Sequence, residues 1–380
     1  MMTLLKSHRK LFSSTWADID LGAIRKNFHT LKEIAGKNTK MLCVVKANAY
    51  GHGMVEVARL LEKEGTDLLG VANIGEGILL RQSGIKKPIL IFENALPQNA
   101  HFILEHRLTA TVCTIELAEA LNKAALKARS AASVHIKIDT GMGRLGVWHE
   151  EALQFIKKLH ELKGIFIEGI YTHFPVADID KSFTEKQIAI FINLIEKIYS
   201  FGVSIPLRHA SNSMGMLSYR APQLNLVRPG LAIYGMLPHP SLAKRISLKP
   251  ALSVKTHVMF LKQIPKGRSI SYGRTFISSK PMAIATLPIG YSDGYFRILS
   301  NRACVIIGGK LVPIVGRVTM DQIVVDVSKL KSVKIGDEAV VLGRRGQASV
   351  TADDLARWAD TINYEVTCNL GNRLNRLYKK

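Results

Sequence analysis

The feature that most constrains the fold is a repeated alternation of short apolar runs with helical segments between Trp16 and Met236. The runs WADIDL, MLCVV, LLGVAN, PILIFE, LTATVC, SVHIKID and FIEGIYTHF are each followed by a segment with apolar residues at helical spacing. Successive strand–helix units predict a parallel sheet, and about eight of them predict a closed barrel. We therefore expect an α/β fold with an N-terminal (β/α)8 TIM-like barrel, in which WADIDL is the first strand.

The pattern changes after Pro250, where short apolar runs are separated by Gly, Pro and Asp turns. The runs include ALSVKTHVMFLKQI, MAIATLPIG, ACVIIGGKLVPIVG, QIVVDV and EAVVLG, and one late helical segment, TADDLARWAD, follows them. They predict a second, mainly antiparallel β domain. The prolines in PHPSLAKRISLKP mark the boundary. The predicted division is a loose basic leader over residues 1–15, a barrel over residues 16–245 and a C-terminal β domain over residues 246–380.

The chain is strongly basic, with 52 Lys and Arg against 30 Asp and Glu and a formal net charge of +22. Such a charge makes nucleic acid, anionic lipid and acidic metabolites candidate partners. The basic residues are, however, scattered along helical segments without interleaved aromatic residues or a finger-like Cys/His spacing. We therefore expect a small anionic ligand and no nucleic-acid partner, although salt-dependent retention on DNA would support a nucleic-acid-binding module instead.

The cysteines and histidines do not form a recognisable metal or disulfide pattern. The four cysteines lie far apart and form no C-x-x-C pair, and the histidines show no H-E-x-x-H motif. The N-terminus lacks the apolar run of a secretory signal, and no apolar run reaches the roughly 18 residues of a membrane helix. We expect a cytoplasmic protein with no metal and no membrane partner.

Polar residues follow the predicted barrel strands at the points where the strands end. In a barrel of this kind the chemistry sits at the C-terminal face, so these side chains should share one mouth. They are Lys46, Lys137, Asp139, Arg144, His173, His209, Asn212, Ser213 and Arg228. Amine, imidazole and guanidinium groups dominate the set, and we therefore expect an anionic ligand at this face.

Lys46 ends the run MLCVVK and is followed at once by Tyr50, Gly51, His52 and Gly53. A partly desolvated amine beside other cations has a lowered pKa and can attack an aldehyde. Taken alone, a strand-end lysine that reaches solvent is the more common case. The glycines favour the first interpretation, because they allow a sharp exit through which a backbone can approach a ligand closely.

Eleven segments together resemble one known family from about Trp16 to the C-terminus. They are STWADIDLGAIRKN, VVKANAYGHG, KIDTGMGRLG, YTHF, ASNS, VRPGLAIYG, SYGRTF, LPIGYSDGY, GRVTMDQ, GDEAVVLG and YEVTCNL. In this order they resemble the alanine racemases, which are pyridoxal 5'-phosphate enzymes. The resemblance implies that Lys46 bonds to the cofactor and is one catalytic base, and that Tyr272 is the other, supplied by a partner subunit. Two bases on opposite faces of a planar carbanion are what inversion requires.

The resemblance also implies roles for further residues. Arg228 would face the pyridine nitrogen and disfavour its protonation, and with His173 it would favour the phenolate of Tyr272. Arg144 would bind the cofactor's phenolic oxygen and the substrate carboxylate, with Lys137 and Tyr291 in support. The implied cofactor-binding residues further include Tyr50, Asn212, Ser213, Gly230 and Leu231, of which all but Asn212 would bind the phosphate. The implied wall near the substrate carboxylate, supplied by the partner subunit, is Met320 and Asp321.

Taken in isolation, several of these residues also have ordinary structural interpretations. Tyr272 equally fits a turn tyrosine, Gly230 plain turn chemistry, and Asp321 a turn cap. The sequence departs from the family pattern at Asn372, where some relatives carry a phosphate-contacting tyrosine, and at Thr319 and Ser292. Lys137 can be carried as a carbamate in this family, and the sequence does not indicate whether it is here.

The function implied by the resemblance is the interconversion of L- and D-alanine by a two-base, pyridoxal-phosphate-dependent homodimer, supplying D-alanine for peptidoglycan. One alternative is a racemase of broader specificity for serine or lysine, because one or two methylenes discriminate only about 10–200-fold. A related barrel-plus-β-domain decarboxylase would place a carboxylate where Arg228 stands. A cofactor-carrying protein of the same barrel type would lack the second domain.

Overall fold

The computed structural model describes residues 14–380. The chain divides into two compact units. The barrel unit comprises residues 24–49 and 54–249, and the sheet unit comprises residues 14–23, 50–53 and 250–380. The predicted leader lies outside the described residues over positions 1–13.

The barrel unit contains a sheet of eight strands that pair in parallel in the order β10-β2-β3-β4-β5-β6-β8-β9. Two backbone hydrogen bonds nearly close the barrel, from Asn225 N to Arg208 O (3.0 Å) and from Arg228 N to Ser211 O (2.9 Å). The strands are β2 (Lys40–Val44), β3 (Leu68–Val71), β4 (Ile89–Asn94), β5 (Thr109–Val112), β6 (Ala132–Asp139), β8 (Ile165–Tyr171), β9 (Leu207–His209) and β10 (Leu226–Val227), and a short β7 (Val147–Trp148) pairs with the end of β6. The predicted barrel is therefore confirmed.

Helices follow the strands, as the sequence pattern predicts. They are α1 (Leu21–Ala35), α2 (Met54–Lys63), α3 (Ile74–Gln82), α4 (Ala100–Glu105), α5 (Ile115–Lys127), α6 (Ala152–His160), α7 (Lys181–Ser200) and α8 (Ser213–Ser218). The longest, α7, begins after Asp180, whose side chain accepts the N–H of Phe183 as an N-cap. Its buried residues include Thr184, Gln187, Phe191, Leu194 and Ile198, a helical spacing that gives one buried stripe.

The sheet unit is mainly antiparallel, as predicted. Its largest sheet has the order β17-β16-β19-β11-β1-β21, with β20 paired to β19, and a smaller one has the order β12-β15-β18. The strands are β1 (Thr15–Asp20), β11 (Leu252–His257), β12 (Phe260–Ile264), β13 (Ser269–Ile270), β14 (Phe276–Ile277), β15 (Met282–Leu287), β16 (Cys304–Ile307), β17 (Lys310–Pro313), β18 (Ile323–Asp326), β19 (Glu338–Arg345), β20 (Ala348–Val350) and β21 (Asn375–Lys379), of which β13 and β14 form a separate pair.

Two expectations about these elements were wrong. The run WADIDL is not a barrel strand, because β1 pairs antiparallel with β11 and parallel with β21. Its alternation gives the physical reason: Ala17 and Ile19 are fully buried, whereas Asp18 pairs with Lys379 Nζ at 2.6 Å. Alternating strands suit a sheet with two unlike faces, whereas parallel barrel strands are covered on both faces and are mostly apolar. The late helical region also holds two helices, α9 (Ala352–Ala359) and α10 (Asn363–Cys368), where one was predicted.

Across residues 14–380, the helices are all too short or too polar to cross a membrane.

Candidate active site

Lys46 follows β2 and begins a left-handed turn. Its successors Ala47, Asn48, Ala49 and Tyr50 have φ values between 52° and 55°, a region that L-residues other than Gly seldom occupy. Each such residue costs roughly 1–2 kcal/mol, so the surrounding structure must hold the turn in place. The turn takes the chain sharply away from the strand just after the amine-bearing residue.

Side chains of the barrel unit hold this turn. Glu76 at the start of α3 accepts two backbone N–H groups, from Ala47 to Oε1 and from Ala72 to Oε2, each at 2.7 Å. Asn48 Oδ1 accepts the N–H of Met54 at 2.9 Å. The end of β2 is thereby fixed to the loop after β3. The Lys46 amine itself lies 5.9 Å from the centroid of the Phe92 ring.

The glycines after the turn make the sharp exit that the sequence predicts. Gly51 and Gly53 have φ values of +83° and +98°. Within the sheet unit, a Cβ on Gly51 would lie 2.0 Å from Thr367 O, and a Cβ on Gly53 would lie 1.8 Å from the Tyr378 hydroxyl. Both positions therefore require glycine, because of conformation and of space.

Four predicted cations converge on His173. Burial lowers the pKa of His173 well below its usual value, and the nearby charges of Arg228, Lys137, Arg144 and Lys46 lower it further. The imidazole is therefore neutral at physiological pH. The four cationic side chains predicted at the strand ends are therefore all near enough to His173 to act on its charge.

Arg228 is the most deeply buried member of this cluster, with only 3% of its surface exposed. Its Nη2 donates to the carbonyls of Thr172 and Ala210, each at 2.8 Å, and lies 3.3 Å from His173 Nδ1, while Nη1 donates to His209 Nδ1 at 2.8 Å. Burial lowers the pKa of Arg228 to about 10, so the group remains charged at neutral pH. Within residues 14–380, it has no carboxylate partner.

Lys137 lies on β6 and is likewise buried. Its Nζ donates to Ile138 O at 2.7 Å. Burial lowers its pKa to about 8, opposed by the Asp139 carboxylate and reinforced by Arg228 and Arg144. A sizeable fraction of this amine is therefore neutral near physiological pH.

The loop that carries Arg144 is held by Asp139. The Asp139 carboxylate accepts the backbone N–H groups of Gly141, Met142 and Gly143, each at 2.8 Å. Three bonds to one buried carboxylate order the segment directly before Arg144. The predicted strand-end residue Asp139 therefore shapes the loop.

Ser213 and Asn212 lie where β9 leads into α8. Ser213 Oγ accepts the N–H groups of Gly230 (3.0 Å) and Ala232 (3.3 Å), which leaves its hydroxyl hydrogen available for donation to a ligand. Asn212 Oδ1 accepts the N–H of Gly215 as the N-cap of α8. Leu231 begins a 3-10 turn, Leu231–Tyr234. The hydroxyl and the turn amides share one region of the barrel unit.

The remaining predicted residues belong to the sheet unit. Tyr272 has 73% of its surface exposed and lies on the turn Tyr272–Arg274. The backbone of Tyr291 donates to Thr319 O at 3.1 Å, which places it beside the loop of Met320. Asp321 pairs with Arg373, Oδ1 to Nη1 at 2.7 Å. Tyr50 is buried, with its ring centroid 6.0 Å from that of Tyr364.

Sequence reasoning missed three residues beside those it identified. Tyr364 lies on the unpredicted helix α10, and Glu168 and His135 lie inside the barrel unit. His135 precedes Lys137 by two positions on a strand, so the period-two rule places both on one face. That signal could have found it.

Comparison with known proteins decides the family. Models of the alanine racemase N-terminal and C-terminal domains match residues 19–238 and 251–378. The alanine racemase of Halothermothrix orenii is 44% identical over 373 residues, 98% of each chain. The chain belongs to the alanine racemase family.

Solved structures of family members agree with this assignment. The alanine racemase of Clostridium difficile 630 superposes with a TM-score of 0.92 at 39% identity, covering 97% of this chain and 96% of its own. The alanine racemase from Bacillus anthracis, solved with bound L-Ala-P, gives a TM-score of 0.91 at 35% identity over 97% and 96% of the two chains. The family resemblance therefore covers both units.

Proposed function

We propose that this protein is an alanine racemase, an isomerase that interconverts L- and D-alanine with pyridoxal 5'-phosphate as its cofactor. The observation that carries the proposal is the cluster around His173, where Arg228 lies 3.3 Å from the imidazole, Lys137 and Arg228 both lie over the Tyr171 ring, and the charges of Lys46 and Arg144 also act on His173. Full-length relatives that bear the same name support it. The relative solved with L-Ala-P supports an amino-acid substrate.

The residues of the barrel unit fit this cofactor. Lys46 supplies an amine for its aldehyde, and the Ser213 hydroxyl with the amide of Leu231 suits a phosphate, while the Gly230 N–H donates to Ser213 Oγ and orients that hydroxyl. Among the described residues, the Nε–H and one Nη1–H of the buried Arg228 have no acceptor, as a ring nitrogen would require. When bound, pyridoxal phosphate draws electrons from the substrate and makes its Cα–H acidic.

Arg228 favours racemisation over decarboxylation. Because its pKa of about 10 keeps it charged at neutral pH, it can donate to the ring nitrogen and disfavours that nitrogen's protonation. A carboxylate at this position would favour ring protonation, and the decarboxylase alternative would need one. We propose that Arg144, held by Asp139, binds the substrate carboxylate.

Two bases would move the Cα proton. We propose Lys46 on one face and Tyr272 on the other, with Tyr272 provided by a second copy of the chain in a homodimer. The 73% exposure of Tyr272 in a single chain supports this role, because an exposed phenol can enter the active site of a second copy. Met320 and Asp321 would belong to the same partner-supplied wall, and Tyr291 would support it.

The proposal also covers the cellular location of the enzyme, the use of its product and the boundary between its domains. We propose that the enzyme acts in the cytoplasm and supplies D-alanine for peptidoglycan, and that a boundary near residue 246 separates its barrel from its C-terminal β domain, to which β1 also belongs. The positions of the two family models, 19–238 and 251–378, support a division near residue 246.

Chiral chromatography tests the reaction. Purified protein with added pyridoxal phosphate should convert L-alanine to a 1:1 mixture, and Lys46→Ala should abolish conversion. L-Serine and L-lysine serve as parallel substrates, and equal turnover of either would favour the broader-specificity racemase. Absence of conversion with all three substrates would refute the proposed function.

A further inference from the structure

A chain of polar side chains runs through the interior of the barrel unit, where barrels of this type usually hold layers of apolar residues. Arg228 Nη1 lies 2.8 Å from His209 Nδ1, and His209 Nε2 lies 2.8 Å from His135 Nδ1. His135 Nε2 lies 3.4 Å from Glu168 Oε2. Both imidazoles are fully buried.

The series of hydrogen bonds determines which nitrogen of each imidazole carries the hydrogen. A guanidinium can only donate, so His209 Nδ1 accepts and the ring carries its hydrogen on Nε2. That hydrogen is donated to His135 Nδ1, and His135 therefore also carries its hydrogen on Nε2, directed toward Glu168. Burial lowers the pKa of both rings, and the charge of Arg228 lowers it further; at His135 the Glu168 carboxylate opposes this shift without reversing it, so both rings are neutral at pH 7.

The last link is electrostatic. At 3.4 Å the contact between His135 Nε2 and Glu168 lies outside hydrogen-bond geometry. The Glu168 side chain is 21% exposed and also accepts from Thr109 Oγ1 at 3.2 Å. Thr109 is the first residue of β5, so the chain extends from Arg228, just after β10, to the end of the barrel where strands begin.

The surrounding residues are shaped to seat these rings. A Cβ on Gly169 would lie 2.6 Å from two ring atoms of His135, so glycine leaves the space that the imidazole fills. Tyr171 stacks on His209 with centroids 4.8 Å apart and planes 10° apart, and its hydroxyl is fixed by Thr111 at 2.8 Å. Neither ring can turn without displacing these neighbours.

Burying two imidazoles beside a guanidinium is costly when apolar side chains could fill the same volume. We therefore expect these buried polar side chains to have a function. His209 accepts one Nη1–H of Arg228, while the carbonyls of Thr172 and Ala210 accept from Nη2. Only the Nε–H and the second Nη1–H then remain for a ligand.

We infer that His209 and His135 are positioning residues, which act through Arg228 by holding its remaining donors toward the ring nitrogen of the cofactor. This inference rests on the proposed function for the identity of the ligand. It does not depend on the reaction for the hydrogen-bond chain itself.

The first test measures the wild-type protein and uses single substitutions only to assign the signals. Long-range ¹H–¹⁵N NMR on ¹⁵N-histidine-labelled protein, before pyridoxal phosphate is added, reports the protonated nitrogen of each imidazole. We expect the signals of His209 and His135, assigned by single substitutions, to show neutral rings protonated on Nε2 at pH 7. A ring protonated on Nδ1, or a cationic ring, would overturn the inference.

The second test compares two changes at one position. In His135→Asn the amide oxygen can still accept from His209, whereas in His135→Leu the His209 N–H loses its acceptor. We expect His135→Leu to bind pyridoxal phosphate about tenfold more weakly, to shift its absorption band and to lower kcat more than it raises KM, with His135→Asn near wild type. Gly169→Ala, which only displaces the ring, should resemble His135→Leu.

These results distinguish the positioning role of the two histidines from the proposed racemisation. Indistinguishable Leu and Asn variants, both folded by circular dichroism, would overturn the positioning role. Should the wild type fail to racemise alanine while the tautomers and the difference in pyridoxal phosphate affinity hold, the positioning role would stand and the proposed reaction would fall.

Discussion

The left-handed turn after Lys46 makes a strong prediction about Glu76. Four residues in this conformation cost roughly 4–8 kcal/mol together. The Glu76 carboxylate makes two hydrogen bonds at 2.7 Å, to Ala47 N and Ala72 N. Charge-assisted bonds contribute about 1.5–3 kcal/mol each, and partial exposure favours the lower end. Replacing Glu76 with alanine should therefore lower the free energy of unfolding by about 3 kcal/mol.

The chain offers a matched control for this change. Glu62 Oε1 accepts the N–H groups of Lys86 (2.7 Å) and Lys87 (2.8 Å) in the same unit. Urea unfolding should show similar losses for Glu76→Ala and Glu62→Ala. Fluorescence titration with pyridoxal phosphate should show about tenfold weaker binding only for Glu76→Ala, a loss of ~1.4 kcal/mol. Equal affinities in the two variants would refute the claim that Glu76 fixes the position of Lys46.

Three further predictions concern single residues. Asp139→Ala should raise KM for L-alanine about tenfold in steady-state assays, because the Arg144 loop loses three bonds, and an unchanged KM would contradict this. Gly51→Ala should cost more than ~2 kcal/mol in urea unfolding, because the new Cβ would lie 2.0 Å from Thr367 O at a φ of +83°; a smaller loss would show that the backbone can relax. The lowered pKa of Lys137, about 8, means that its buried charge destabilises the fold by about 3 kcal/mol below pH 8 and that this penalty disappears as pH rises from about 8 to 10.5. Lys137→Met should therefore be more stable than wild type at pH 7 and lose that advantage by pH 10. If the free energies of unfolding of the two proteins differ by the same amount at every pH, the lowered pKa of Lys137 is contradicted.

The parts of the fold that could be predicted are those with a local signal. Mostly apolar runs identified the barrel strands, and the strand-end rule predicts that Lys46, Lys137, His173 and Arg228 share one face of the barrel. The position of β1 had little local signal, because it pairs with strands more than 200 residues away. Only its alternation of apolar and polar residues indicated a sheet with unlike faces.

Other features had no usable local signal. In KANAY only Asn48 belongs to a residue type that favours left-handed φ values, and the turn also depends on Glu76, which holds the backbone from outside the segment. The Glu168 link to His135 joins two neighbouring strands, β6 and β8, and sequence spacing does not reveal which of their side chains meet. Tertiary contacts decide both.

Deuterium exchange at Cα tests the two-base racemisation most directly. Wild type and Tyr272→Phe, each saturated with pyridoxal phosphate in D₂O, are incubated with L-alanine or D-alanine, and NMR and chiral chromatography follow label and configuration. Wild type should label and invert both enantiomers, whereas Tyr272→Phe should lose inversion and still exchange the proton of the one enantiomer that Lys46 faces. If Tyr272→Phe inverts both enantiomers at the wild-type rate, or if wild type exchanges neither, the account is wrong.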